Sequence, residues 1–185
     1  MKLKKFKFKT VNSTNDIAIR LIKKTNNKFG IIVADNQKKG RGQRGNKWIS
    51  YKGNLFISIF FSLEKINMSL KQLTKTNCFL IKKVLSKFCK KKIYIKPPND
   101  FLINKKKICG ILQETLKKTN TTYFVVGVGI NLIKSPHIEN YPTTNILELT
   151  NTKVNKKKII LELVNIYEEF IEKVSKLSLT TVKNL

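Results

Sequence analysis

In Lys39-Gly40-Arg41-Gly42-Gln43-Arg44-Gly45-Asn46-Lys47-Trp48, three glycines fall within six residues, alternate with two arginines and a glutamine, and end at the only tryptophan of the chain. Glycine lets a main chain turn sharply and approach a ligand closely. Successive backbone N–H groups of such a loop form an anion-binding concavity, and arginine adds a planar, permanently charged fork for phosphate or carboxylate. A solvated basic hairpin loop is the competing reading of the same residues. The flanks settle the local architecture. Residues 30–34 are a short apolar run bounded by glycine and Asp35-Asn36, and residues 54–62 interleave Leu55, Ile57, Ile59 and Phe61 with Phe56, Ser58 and Phe60. Both read as strands, so the loop is expected to join two neighbouring strands.

Toward the N-terminus, Leu3, Phe6 and Phe8 alternate with lysines and predict a half-exposed strand. Ser13-Thr14-Asn15 then precedes a helical apolar spacing at Ile17, Ala18, Leu21 and Ile22, an N-cap signal. Toward the C-terminus, a helix is predicted from Met68 or Ser69 to about Lys90, with Leu73, Leu80, Ile81, Val84, Leu85 and Phe88 on one face. A strand at 93–96 runs into Pro97-Pro98-Asn99-Asp100, a stiff turn that presents Lys96, Asn99 and Asp100. A hairpin follows, with strands at 101–103 and 107–116, in which Lys107 stands apart from the other lysines because its neighbours are apolar and Gly110 leaves space beside the strand. In the strand at 122–132, Gly127 and Gly129 share a face and bare a strip of backbone, either for a flat ligand or for tight packing against a helix. A short helix at 145–149 and a long amphipathic one from Asn155 to about Leu177 complete the chain. Hairpin strands with separate long helices predict an α+β fold, a mixed sheet flanked by helices, in a single domain spanning 1–185.

Composition limits the function. The chain has 185 residues, 41% of them hydrophobic, which is enough for a real core. Its net charge is +27, but only Arg20, Arg41 and Arg44 of the 38 basic residues are arginine, and the lysines are spread along the whole chain. A nucleic-acid module would gather them on one face with aromatics between them, so no specific DNA binding is expected. Cys78, Cys89 and Cys109 lack metal-ligand spacing, and His137 is alone, so neither a zinc site nor a serine triad is expected. Residues 1–5 are basic without an apolar core, and no run of about 18 apolar residues occurs; a cytoplasmic protein without a membrane span is expected. No nucleophile–base pair stands out. Hydroxyls and amides (Ser13, Thr14, Asn15, Gln37), loop arginines (Arg41, Arg44), one carboxylate on a rigid turn (Asp100) and one isolated lysine (Lys107) instead fit chemistry at a phosphate ester, which proceeds mainly by positioning and charge neutralisation.

Five motifs in order carry a family resemblance: Ser13-Thr14-Asn15, Gly40-Arg41-Gly42-x-x-Gly45-x-x-Trp48, Lys96-x-Pro98-Asn99-Asp100, Lys107-x-x-Gly110-Ile111-Leu112 and Gly127-x-Gly129-Ile130-Asn131. Together they resemble the catalytic domain of biotin–protein ligases (biotin–[acetyl-CoA-carboxylase] ligases). The resemblance implies a fold like the core of class II aminoacyl-tRNA synthetases. It implies formation of biotinyl-5′-AMP from biotin and ATP with Mg²⁺, and transfer of biotin to a lysine of a biotin carboxyl carrier domain of acetyl-CoA carboxylase or a related carboxylase. Lys107, Arg41 and Asp100 match catalytic positions. Ser13, Thr14, Asn15, Gln37, Gly40, Arg41, Gly42, Gln43, Lys107 and Gly110 match positions around biotin. Arg41, Arg44, Trp48, Lys96, Asn99 and Asn131 match positions around the adenylate or ATP, and Asp100 a position near the metal.

The chain departs from the pattern in four respects. Gln43 stands where many members have a further loop arginine, and Pro97 replaces the usual tryptophan of the Lys-Trp-Pro-Asn-Asp motif. Neither an N-terminal winged helix nor a C-terminal SH3-like barrel is expected within the chain. A homodimer is left open. A lipoate or octanoyl transferase shares the fold and is the alternative enzyme; a non-specific nucleic-acid-binding module is the alternative outside enzymes.

Overall fold

The computed structural model describes residues 2–183, with side chains as far as Lys176. The described strands are β1 (Lys4–Val11), β2 (Phe29–Gln37), β3 (Leu55–Ser62), β4 (Tyr94–Lys96), β5 (Asp100–Ile103), β6 (Lys106–Lys118) and β7 (Thr121–Ile130). They form one sheet in the order β1-β2-β3-β7-β6-β5-β4. Only β1 and β2 run parallel; every other neighbouring pair is antiparallel. The glycine loop does connect neighbours, since β2 and β3 pair from Phe29↔Phe61 to Ala34↔Phe56. Among the described residues four α-helices accompany the sheet: α1 (Thr14–Lys24), α2 (Leu70–Ser86), α3 (Ile146–Thr150) and α4 (Lys156–Lys183).

The apolar pattern decides which face each helix covers. All eight residues of β3 are buried, as a central strand covered on both sides requires. Ile57, Ile59 and Phe61 point into the larger core, where Leu73, Ile81 and Leu85 of α2 meet Leu163, Tyr167 and Ile171 of α4. Phe60 points to the other face and packs with Ala18 and Ile22 of α1, Ile32 and Val125. Ser58 lies between Phe56 and Phe60 on this second face, at the N-terminal end of α1, and marks where the sheet surface turns polar.

Three local devices tie these layers together. Ser69 and Gln72 form a reciprocal capping box that starts α2. Asn145 caps α3 by accepting from the Glu148 N–H at 2.9 Å. Asn54, fully buried before β3, accepts from the N–H groups of Leu132, Ile133 and Lys134 and donates to the Lys134 carbonyl, which fixes the chain as it leaves β7. α2 stops at Ser86, short of the expected Lys90, and β2 runs on to Gln37 rather than stopping at Ala34. That extension follows from its parallel pairing with β1, whose last partner pair is Val11↔Gln37.

Candidate active site

One end of the hollow is built by the start of α1. Ser13 occupies the N-cap position with extended backbone, yet its hydroxyl makes no cap bond. The expected capping role passes to Gln37, whose Oε1 accepts from the Thr14 N–H (2.9 Å) and lies 3.2 Å from the Thr14 hydroxyl. Gln37 can do this because the parallel pairing sets it beside Val11, where the chain turns toward α1; its amide donates to Ser50 Oγ at 3.2 Å. The Ser58 hydroxyl sits 2.8 Å from Thr14 Oγ1 and 2.5 Å from Asn15 Oδ1. The Asn15 amide donates to Glu114 Oε2 (2.6 Å) and to the Leu112 carbonyl (3.3 Å). Thr14, Asn15 and Ser58 are all buried, and with Gln37 and Glu114 they form an interlocked polar network that holds its members in fixed directions, with the buried Ser13 beside it.

The glycine loop forms the lid side. It folds back on itself, with the Gly42 N–H donating to the Asn46 carbonyl (2.7 Å) and the Trp48 N–H to the Gly40 carbonyl (2.9 Å). At its tip, Gln43–Gly45 make a single 3₁₀ turn in which Arg44 and Gly45 both have positive φ (54° and 79°). Arg41 points inward. Its Nη1 and Nη2 meet the two oxygens of Glu114 at 2.9 and 2.8 Å, and Nη2 also lies 2.9 Å from Asp16 Oδ1. The hydrogen bonds that Arg41 donates to Glu114 raise its guanidinium above its ordinary value, keeping it charged. At the end of the loop the Trp48 indole lies on bare backbone. Gly110 of β6 and Gly129 of β7 are direct partners, and a Cβ on them would come within 2.7 and 2.4 Å of the indole. The neighbouring Gly127 gives the same room to Asn15 of α1. The glycine strip is therefore filled by a flat ring at one position and by helix packing at the other.

The third wall carries Lys107. Strict alternation along β6 would put Lys107 and Gly110 on opposite faces, but pairing with β5 moves from Phe101↔Cys109 to Leu102↔Lys107, two residues against one. This bulge re-aims Lys107 so that its Nζ would lie 3.3 Å from a Cβ on Gly110. The Lys107 ammonium sits 2.7 Å from Asp100 Oδ1 and 5.3 and 5.4 Å from the ring centres of Trp48 and Tyr141. Tyr141 donates from its hydroxyl to Asp100 Oδ2 at 2.5 Å. Burial, and next this bond to a carboxylate, push the Tyr141 phenol well above its ordinary value. Lys96 lies over the outer side of the Tyr141 ring, 4.8 Å from its centre. Asn99 anchors the turn, donating its amide to the Ile111 carbonyl and accepting the Ile111 N–H on its own carbonyl, both at 3.0 Å.

These walls enclose one hollow of about 540 Å³. Of the residues singled out from the sequence, Ser13, Thr14, Asn15, Gln37, Arg41, Gly42, Gln43, Arg44, Trp48, Lys96, Asn99, Asp100, Lys107 and Gly110 line it. Gly40 and Asn131 do not. Gly40 is buried in the base of the loop under Trp48. Asn131 is also buried, donating its amide to the Thr144 carbonyl and its N–H to the Ile108 carbonyl, which splices β7 to the wall. Lys107 is not isolated, since Asp100 neutralises it directly. Asp100 has both oxygens committed, to Lys107 and Tyr141, and among the described residues no three His, Cys, Asp or Glu side chains cluster to hold a metal. The residues present do not fit a protein cage for Mg²⁺.

Sequence reasoning missed Glu114, Tyr141 and Ser58. Glu114 had a signal: it follows Gly110 and Leu112 at spacings of two on one strand face, which sets its carboxylate beside Asn15 and Arg41 of the wall. Ser58 had a weaker one, a hydroxyl amid the apolar residues of β3. Tyr141 had none, because it lies in the irregular segment between β7 and α3.

Comparison with known proteins places the sequence and fold among relatives. The Biotin/lipoate A/B protein ligase family matches residues 7–131. The bifunctional ligase/repressor BirA of Escherichia coli (strain K12) is 36% identical over 102 residues, 54% of this chain and 32% of that protein. BirA of Bacillus subtilis (strain 168) is 26% identical over 167 residues, 86% of this chain and 51% of that protein. The chain thus spans about a third to a half of the length of these curated relatives. The structure of biotin protein ligase from Aquifex aeolicus in complex with biotin and ATP superposes with a TM-score of 0.78 at 30% identity, covering 94% of this chain and 72% of that one. The mixed sheet with flanking helices is the catalytic-domain fold of that structure, of the class II aminoacyl-tRNA synthetase type. Matched over more than half its length, in fold and in sequence, the chain belongs to the biotin/lipoate A/B protein ligase family.

Proposed function

We propose that this chain is the catalytic domain of a cytoplasmic biotin–protein ligase. In the first half-reaction a carboxylate oxygen of biotin bonds to the α-phosphorus of ATP, and the bond to the β-phosphate breaks to release pyrophosphate. In the second, the amine of a carrier-domain lysine attacks the acyl carbon of biotinyl-5′-AMP, AMP leaves, and the amine's proton passes to solvent. A Mg²⁺ ion, when bound, would be held mainly by the nucleotide phosphates and would offset their charge, since no cage of three or more His, Cys, Asp or Glu side chains occurs among the described residues.

One observation carries the reading: the buried polar network at Ser13–Asn15 and the Lys107 ammonium line the same hollow. The network provides donors and acceptors in fixed directions, as a ureido ring needs, and Lys107 provides a cation where two anions must meet. Asp100 and Tyr141 hold Lys107 from the side, so its charge is positioned before substrate arrives. The glycine loop, with Trp48 at its root, can keep water from a mixed anhydride that hydrolyses readily. The net charge of +27 favours encounter with an acidic acceptor domain. The Gly-Arg-Gly loop and the Lys96-x-Pro98-Asn99-Asp100 motif favour biotin over lipoate.

The test is ATP–pyrophosphate exchange with biotin and with lipoate in parallel. Biotin is expected to support exchange and lipoate not. Lys107→Ala is expected to lower biotin-dependent exchange by at least about a hundredfold, the scale of losing one fixed charge-stabilising group. Exchange with lipoate alone would transfer the chain to the lipoate branch, and full exchange in Lys107→Ala would remove that residue from the chemistry.

A further inference from the structure

Arg41 is not poised as a free cation. One guanidinium lies between two carboxylates, Glu114 on β6 (2.9 and 2.8 Å) and Asp16 in the first turn of α1 (2.9 Å). Its charge is answered twice before any phosphate enters. Glu114 is also the group that accepts from the Asn15 amide at 2.6 Å. A single carboxylate thereby joins the mobile-type element, the glycine loop, to the most rigid part of the hollow, the Ser13–Asn15 network. The Glu114 pair with Arg41 is bidentate, the geometry in which an arginine–carboxylate pair fixes direction as well as distance.

We infer that Glu114 is a positioning residue: with Asp16 it clamps Arg41, and so holds the glycine loop shut over the end of the hollow formed by Asn15. Arg41 then serves to close the loop. The clamp also couples the loop to occupancy of the Asn15 end. An occupant that draws on the Asn15 amide alters the partner that Arg41 depends on, so binding at the Ser13–Asn15 end and closure of the loop report on each other. The assignment of the occupant as biotin rests on the function proposed above; the clamp does not.

The test has two arms. The first uses the ligand-free protein and hydrogen–deuterium exchange of residues 40–48, whose Gly42 and Trp48 amides are bonded within the loop. Arg41→Ala and Glu114→Gln are each expected to speed exchange there roughly three- to tenfold, the scale of a partly exposed ion-pair network. The double variant is expected to exchange no faster than the faster single one, because both changes break one clamp. Unchanged exchange in Arg41→Ala, or additive acceleration in the double variant, overturns the inference. Arg41→Ala decides this arm alone if Glu114→Gln does not fold.

The second arm measures biotin-dependent exchange. Glu114→Gln keeps the shape but leaves one oxygen for three donor groups, so KM for biotin is expected to rise about tenfold while kcat changes less than threefold. A fall in kcat at unchanged KM would overturn the positioning role. If the wild-type protein shows no biotin-dependent exchange, the proposed function fails, and the ligand-free arm still decides the clamp.

Discussion

At the scale of single residues, glycines and a bulge make the hollow. Gly110 and Gly129 are opposed across β6 and β7 and give the Trp48 indole a seat that no side chain could share. Gly129→Ala would place a methyl group 2.4 Å from the indole, so that the ring has to shift. The variant is expected to lose about 1–3 kcal/mol of stability by overpacking and to shift the emission of the only tryptophan in the chain. Unchanged emission and stability would mean that the indole is not seated there. Lys107 teaches the opposite lesson. Its spacing from Gly110 is odd, and only the extra residue in β6 brings the two onto one face. The sequence marked Lys107 as unusual by its apolar neighbours, but a register shift is set by pairing with another strand and leaves no local signature.

At the scale of elements, side chains at strand ends do the joining. Gln37 caps α1 from the end of β2, and Asn54 ahead of β3 receives three N–H groups that follow β7. Asn54→Ala would leave these donors without an acceptor in a fully buried position. The expected cost is about 3 kcal/mol, read as a lower urea midpoint at unchanged slope. A cost below about 0.5 kcal/mol would show that the donors find other partners. The helices and the long strands were legible from apolar period alone, because each buries one face. The identity of the capping group was not, since Ser13 has the right chemistry and the right position while Gln37, 24 residues away, makes the bond.

At the scale of the whole molecule, one sheet separates two cores. The larger core buries Tyr167, which donates to Asn77 Oδ1 at 2.9 Å. Burial raises its phenol well above the ordinary value. The folded protein therefore keeps this proton when the unfolded chain releases it. The contribution is whole below about pH 10 and falls as pH rises beyond that, by up to about 1.4 kcal/mol per pH unit. Stability is expected to decline less steeply above pH 10 in Tyr167→Phe than in the parent, measured by urea unfolding at stepped pH; parallel declines would contradict it. The sequence by itself determined the fold class, the order of the elements and most lining residues of the hollow, because apolar period, glycine placement and short motifs are local properties of a chain. Only the tertiary structure decided that Asn131 splices the sheet, that Asp100 already answers Lys107, and that Glu114 holds Arg41. Those are questions of which charge or amide finds which partner across 7 to 73 positions of sequence, and the answer depends on strand register and on the direction in which each side chain leaves the sheet.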